Sequence, residues 1–139
     1  MIFVDTSFWV ALASEKDPDH ERVRDIWRAF KARPLTAHLL TTNHVIFESI
    51  TLASRRVHHS AGQGIGERLY AENIARVHWA TPEDERAAFD YYRQHADKRY
   101  SAVDCLSFVV MLKHGINVAW TLDDDFTHRF IAQPGPRRR

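Results

Sequence analysis

Four carboxylates, Asp5, Glu48, Asp104 and Asp123, carry the chemistry that this sequence offers. They are far apart in the chain, yet their surroundings are alike. Ile2-Phe3-Val4 is a short apolar run that reads as a fully buried strand, and Asp5 follows it at once. Val118-Ala119-Trp120-Thr121 reads as a second such strand, with Asp123 just beyond it. Asp104 stands in the first turn of an apolar helix, and Glu48 in the first two turns of another. In an open α/β sheet the carboxyl ends of the strands form the ligand-binding edge. Acids gathered there repel and raise one another's pKa values unless a cation neutralises them. Hard oxygen donors suit Mg²⁺ or Mn²⁺. The nine histidines and the single cysteine show no spacing that resembles a zinc site.

Each acid also has a plainer use. Ser101-Ala102-Val103-Asp104 is a capping-box-like pattern, and taken alone it explains Asp104 without any metal. Glu48 sits among Val45, Ile46, Phe47 and Ile50, where it is either on an exposed stripe or buried with a partner. Asp5 is able to assist the cap of the first helix, and Asp123-Asp124-Asp125 to form an acidic turn. The coincidence of four at one edge is what favours chemistry.

The elements that must position these acids alternate along the chain. Phe8 to Ala13 predicts a helix capped by Thr6 or Ser7. Asp17-Pro18 opens a second helix through Phe30, with Val23, Ile26, Trp27 and Phe30 at helical spacing, broken by Arg33-Pro34. Leu39-Leu40 is a short strand. A helix capped by Thr41, Thr42 or Asn43 runs from it to about Val57. Gly62 to Gly66 predicts a loose joint before a helix through Ala75, and Arg76 to Ala80 a weak strand. Thr81-Pro82-Glu83-Asp84 starts a helix to about Gln94, with a hydroxyl cap, proline at the first position and acids in the first turn. The helix from Ser101 stops at His114-Gly115, and Phe130-Ile131-Ala132 supplies the last strand. Strand–helix repeats predict a mostly parallel sheet covered by helices, an α/β fold.

Size and composition fit one soluble domain: 139 residues, 45% hydrophobic and 27% charged. Residues 1–133 are expected to form it, with 134–139 as a basic tail. No apolar run approaches a membrane span, no secretory signal opens the chain, and Cys105 alone allows no internal disulfide. A cytoplasmic protein is expected. A net charge of +1 excludes nucleic-acid binding by bulk charge. Any such binding falls to local clusters, Arg55-Arg56 with His58-His59, or Arg137-Arg138-Arg139. A solvated helix end and a disordered tail are the plainer readings of these two.

Together these pieces resemble the PIN-domain ribonucleases, and within them the VapC-type toxins of toxin–antitoxin pairs. The resemblance lies in Val4-Asp5-Thr6-Ser7, Glu48, Tyr100-Ser101-Ala102-Val103-Asp104-Cys105 and Ala119-Trp120-Thr121-Leu122-Asp123-Asp124-Asp125-Phe126, in that order over nearly the whole chain. It implies a three-layer α/β/α fold and a pocket of Asp5, Glu48, Asp104 and Asp123 holding Mg²⁺ or Mn²⁺. It adds Asp125 as a further, more variable acid and Thr6, Ser7 and Thr121 as supporting polar positions. The implied activity is hydrolysis of RNA phosphodiester bonds, and the implied partners are a VapB-type antitoxin and a second copy of the chain. Arg55, Arg56 or Arg99 would hold RNA phosphates. Two other readings compete. One is an RNA- or protein-binding PIN-like module with little nuclease activity, which a missing acid would favour. The other is a haloacid dehalogenase-type phosphoryl transferase, which needs a second acid that Asp5-Thr6-Ser7 lacks.

Overall fold

The computed structural model describes residues 1–33 and 38–137. Its elements are β1 (Ile2–Val4), α1 (Thr6–Ala13), α2 (His20–Ala32), β2 (Leu39–Thr42), α3 (Asn43–Arg56), α4 (His59–Tyr70), β3 (Arg76–His78), α5 (Pro82–Gln94), α6 (Ala102–His114), β4 (Val118–Thr121) and β5 (Ile131–Pro134). A 3₁₀ turn, Asp124–His128, links the last two strands. The five strands form one sheet in the order β3-β2-β1-β4-β5, and every neighbouring pair is parallel.

That order places the site. The chain steps outward from β1 to β2 to β3, then returns to β4 on the other side of β1. Because parallel crossovers are right-handed, α1–α4 cover one face and α5–α6 the other. The connections after β1 and β4 therefore leave toward opposite faces, and a crevice opens between their carboxyl ends. Asp5 and Asp123 lie there. The α/β expectation and its three layers are met.

Each face has its own aromatic core. Below α1 and α2, Trp120 stacks on Phe8 at 5.0 Å between ring centroids and meets Phe30 edge-on at 5.3 Å. Across the sheet, Phe108 meets Phe126 at 4.9 Å and Tyr100 at 5.0 Å, both edge-on. Such pairs add about 0.5–1.5 kcal/mol each beyond the area they bury.

Some boundaries differ from the sequence expectation. The first helix begins at Thr6, so Asp5 itself occupies the N-cap position, yet its carboxylate makes no cap bond. Ser7 and Thr121 have drawn that carboxylate away from the helix. The second helix starts at His20, because the Asp17 carboxylate accepts the Asp19 N–H (2.8 Å) in a side-chain turn. It ends with Arg33 as C-cap, and Pro34 lies outside the described residues. The expected joint at Gly62–Gly66 is helix, an unbroken α4. A methyl group at Gly62 would lie 2.1 Å from Ser54 Oγ and 2.6 Å from the Ile50 carbonyl. Gly62 and Gly66 serve close approach to α3 rather than a bend. The last strand starts one residue later and ends two residues later than expected, and its Pro134 pairs with Thr121. The chain stays against the sheet edge beyond it: Arg137 N–H donates to the Leu122 carbonyl at 3.1 Å. Arg138 and Arg139 lie outside the described residues.

Candidate active site

A cleft of about 490 Å³ opens at the crevice, lined by Asp5, Thr6, Ser7, Glu48, Asp104, Asp123 and Asp124, with Leu52, Arg56 and Arg137 among its walls. All four carboxylates singled out in the sequence reach it. Carboxylate oxygens of Asp104, Asp123 and Asp125 lie within 4.8 Å of one another, close enough to share one cation. Asp5 and Glu48 line the same cleft outside that group of three.

Asp5 is the most constrained. It is buried at the end of β1, and its Oδ2 accepts from Ser7 Oγ and Thr121 Oγ1, each at 2.9 Å. Ser7 Oγ also accepts the Leu122 N–H at 2.9 Å, and Thr121 Oγ1 the Asp123 N–H at 3.0 Å. These two hydroxyls thus tie the end of β1 to the end of β4. Thr6 also lines the cleft, but its buried Oγ1 has no hydrogen-bond partner among the described residues.

Asp104 is the third residue of α6 and closes a capping box with Ser101: its N–H donates to Ser101 Oγ (3.0 Å), and its Oδ2 accepts the Ser101 N–H (3.1 Å). That leaves Oδ1 outside the cap. Capping and site membership are therefore compatible. Asp123 is fixed by the Asp125 N–H on its Oδ1 at 2.9 Å. Asp124, between them, is exposed at the cleft wall.

The electrostatics follow from this crowding. Burial pushes Asp104 up to about 7, and the charges of Asp5 and Asp123 add to it against the Ser101 hydrogen bonds. Burial pushes Asp5 to about 6, although Ser7 and Thr121 pull the other way. Asp123 is raised as well, first by burial and then by Asp125, Asp124 and Glu48 against the Asp125 N–H bond. Three neighbouring carboxyls that resist ionisation are a site short of positive charge. An all-oxygen donor set of this kind fits a hard divalent cation.

The basic residues divide. Arg56 lines the cleft, but Arg55 is exposed outside it. Arg99 borders a separate depression with Tyr92, His95, Lys98 and Tyr100. Arg137 was visible only as part of a terminal basic run. It reaches the cleft wall because its guanidinium is held by Asp17 (3.2 Å) and Asp19 (3.5 Å). Arg22 braces the same segment, donating to the carbonyls of Pro134 and Pro136. No local pattern announces this strap, because its partners lie more than 110 positions away.

Residues 2–129 match the PIN domain. The 23S rRNA-specific endonuclease VapC20 of two Mycobacterium tuberculosis strains is 37% identical over 127 residues, covering 91% of this chain and 92% of its own. A crystal structure of M. tuberculosis VapC20, titled a sarcin–ricin loop cleaving toxin, superposes with a TM-score of 0.84 at 35% identity. It covers 92% of this chain and 94% of that one. The family match and both relatives span more than nine-tenths of the chain: it belongs to the PIN-domain family and is a homologue of the toxin VapC20 within it.

Proposed function

We propose that this chain is a metal-dependent endoribonuclease and the toxin of a type II toxin–antitoxin pair, with ribosomal RNA as its substrate class. The convergence of Asp5, Asp104 and Asp123, all held at raised pKa, at the switch point of the sheet carries the proposal. Asp104, Asp123 and Asp125 would hold Mg²⁺ or Mn²⁺, with Asp5 and Glu48 completing its surroundings. When bound, such an ion lowers the pKa of water and offsets charge on the scissile phosphate.

The chain's own residues set up that chemistry. Ser7 and Thr121 lock the Asp5 carboxylate, so it meets the site in one orientation. The Asp125 N–H and Thr121 Oγ1 hold Asp123 in the same way through its carboxylate and backbone. At neutral pH without positive charge, Asp104 is substantially protonated, and neutralisation of the pocket frees it as an acceptor. Arg56 and Arg137 at the cleft wall supply cations for RNA phosphates. Residues 1–133 are proposed as the PIN domain, with the segment from 134 as a basic extension that bears on its site.

Partners follow from two further surfaces. A groove of about 850 Å³ runs between α1–α2 and α4, lined by Trp9, Trp27, Phe30 and Leu69. The buried Nε1 of Trp9 has no hydrogen-bond partner among the described residues. An antitoxin segment is the proposed occupant. The exposed aromatics Phe47 of α3 and Phe89 and Tyr92 of α5 are the proposed homodimer contact. No helix among the described residues is long and apolar enough to cross a membrane, and the cytoplasm is the proposed compartment.

The test is to incubate purified protein with 23S rRNA and Mg²⁺, then with excess EDTA. Specific cleavage that EDTA abolishes is expected. Undiminished cleavage in EDTA, with contaminating nucleases excluded, would refute the metal mechanism.

A further inference from the structure

A second ligand constellation lies at the far side of the sheet, built from residues that the sequence keeps apart. His78 ends β3, Asp84 is in the first turn of α5, and His114 ends α6. His78 Nε2 meets Asp84 Oδ2 at 2.7 Å, and His78 Nδ1 meets His114 Nε2 at 3.2 Å. The two imidazole rings are nearly perpendicular, at 86° with centroids 5.2 Å apart. No spacing rule finds such a pair, because 36 positions separate its members.

The bonding pattern fixes the nitrogens. Burial raises the Asp84 pKa, but the Thr81 N–H, His78 and Lys113 outweigh it and hold the carboxyl well below the usual range. Asp84 is then an ionised acceptor, so His78 Nε2 carries the proton. In the neutral ring this leaves the Nδ1 lone pair aimed at His114. His114 is exposed at its outer side, and its pKa is lowered by burial of the remainder, by His78 and by Lys113. Two imidazole nitrogens from different elements thus face each other 3.2 Å apart.

We propose that His78 Nδ1 and His114 Nε2 form a binding site for Zn²⁺, oriented by the Asp84 carboxylate on the outer nitrogen of His78. Two nitrogens on a tetrahedral zinc at about 2.0–2.1 Å are roughly 3.3 Å apart. The observed 3.2 Å needs almost no adjustment. A carboxylate on the far nitrogen of a ligating histidine fixes its tautomer and strengthens it as a donor. Water fills the remaining positions on the exposed side. Lys113 stands beside the site, but its ammonium is engaged by Asp84 Oδ1 at 3.2 Å. Nitrogen donors here and oxygen donors in the acid cleft select different cations. On zinc entry the His114 proton moves from Nε2 to the outer Nδ1, and binding weakens as pH falls because protons compete for both donor nitrogens.

The experiment is calorimetric titration of ZnCl₂ into the intact protein at pH 7.5, with and without millimolar Mg²⁺. One zinc per chain that Mg²⁺ does not displace is expected. His114→Ala should weaken it at least tenfold, and Asp84→Asn about tenfold, the usual effect of losing an outer carboxylate. His59→Ala, which removes an exposed histidine elsewhere, should leave it unchanged. Absence of binding, full displacement by Mg²⁺, or equal affinity in wild type and His114→Ala would each overturn the site. His114 is exposed at a helix end, so its replacement leaves the fold intact.

Discussion

Asp84 and Asp104 are locally twins. Each is the third residue of a 13-residue helix, and each closes a capping box with a hydroxyl residue three positions before it. The paired hydrogen bonds are 3.0 and 3.1 Å in both boxes. Both carboxyls are nearly buried, at 4% and 9% exposure. Yet Asp84 is held well below the ordinary carboxyl pKa, and Asp104 is pushed up to about 7. The difference is wholly in what the fold brings alongside. Asp84 receives His78 from β3 and Lys113 from α6, whereas Asp104 receives Asp5 from β1 and Asp123 from the end of β4. One carboxylate has been given its counter-charge by the protein. The other waits for one from outside, and that need distinguishes a site from a cap.

The same substitution made at both positions should separate them most strongly. Asp104→Asn is expected to reduce RNA cleavage by more than about 100-fold, since even outer-shell losses at metal sites cost about 10–100-fold. Asparagine still caps, so the helix and the fold should survive. Asp84→Asn is expected to leave cleavage within a few-fold of wild type. It should instead lower stability by about 1–3 kcal/mol, because one neutral amide oxygen replaces the two charged oxygens that accept from Thr81, His78 and Lys113. Cleavage assays beside urea unfolding decide the matter. An active Asp104→Asn enzyme would reduce Asp104 to a cap like its twin.

The pair also marks what was legible in the sequence. Strand ends, hydroxyl caps and the order of the acids are local, so the α/β class and the residues Asp5, Glu48, Asp104 and Asp123 were readable. The contrast between Asp104 and Asp84 was not, because their neighbours come from other elements. Arg99 shows the same limit: the sequence offered it as a holder of RNA phosphates, but it borders a different depression. Arg137 is its mirror image, distant in sequence and delivered to the cleft by the pairing of β5 with β4. Gly62 misled for a related reason. Local propensity sees a flexible residue, whereas the fold uses the missing side chain to seat α4 against Ile50 and Ser54.

Stability against pH should show the twins pulling in opposite directions. The folded protein holds the Asp104 proton more tightly than the unfolded chain does, so this group stabilises most below its ordinary value of 3.8. That stabilisation is lost as pH rises through about 7. Asp5 acts alike, through about 6. Asp84 is the reverse: its stabilisation is present above 3.8 and is lost as pH falls below it. Metal-free protein should therefore melt highest between about pH 4 and 6 and lose several degrees by pH 8, at roughly 4 °C per kcal/mol for a domain of this size. Asp104→Asn should flatten the alkaline side alone, and Asp84→Asn the acid side alone. Saturating Mg²⁺ should also remove the alkaline loss in wild type, because a bound cation favours the ionised carboxylates. Melting curves across pH, with and without the metal, measure all of this, and parallel profiles for the two variants would contradict the contrast.

The smallest effect isolates what the twins share. Ser101→Ala and Thr81→Ala each remove the hydroxyl that accepts the N–H of the paired aspartate. Each should cost about 1 kcal/mol, the usual price of an N-cap side chain. The two losses should match to within a few tenths of a kcal/mol, because the boxes have the same geometry. Cleavage should fall by no more than a few-fold in either variant, since the backbone N–H of residue 101 still donates to Asp104 Oδ2. A much larger loss of activity in Ser101→Ala than in Thr81→Ala, at equal stability, would mean that the cap itself aims Asp104 at the metal. Equal stability losses with activity retained would place the cap in folding and leave the chemistry to the carboxylates around it.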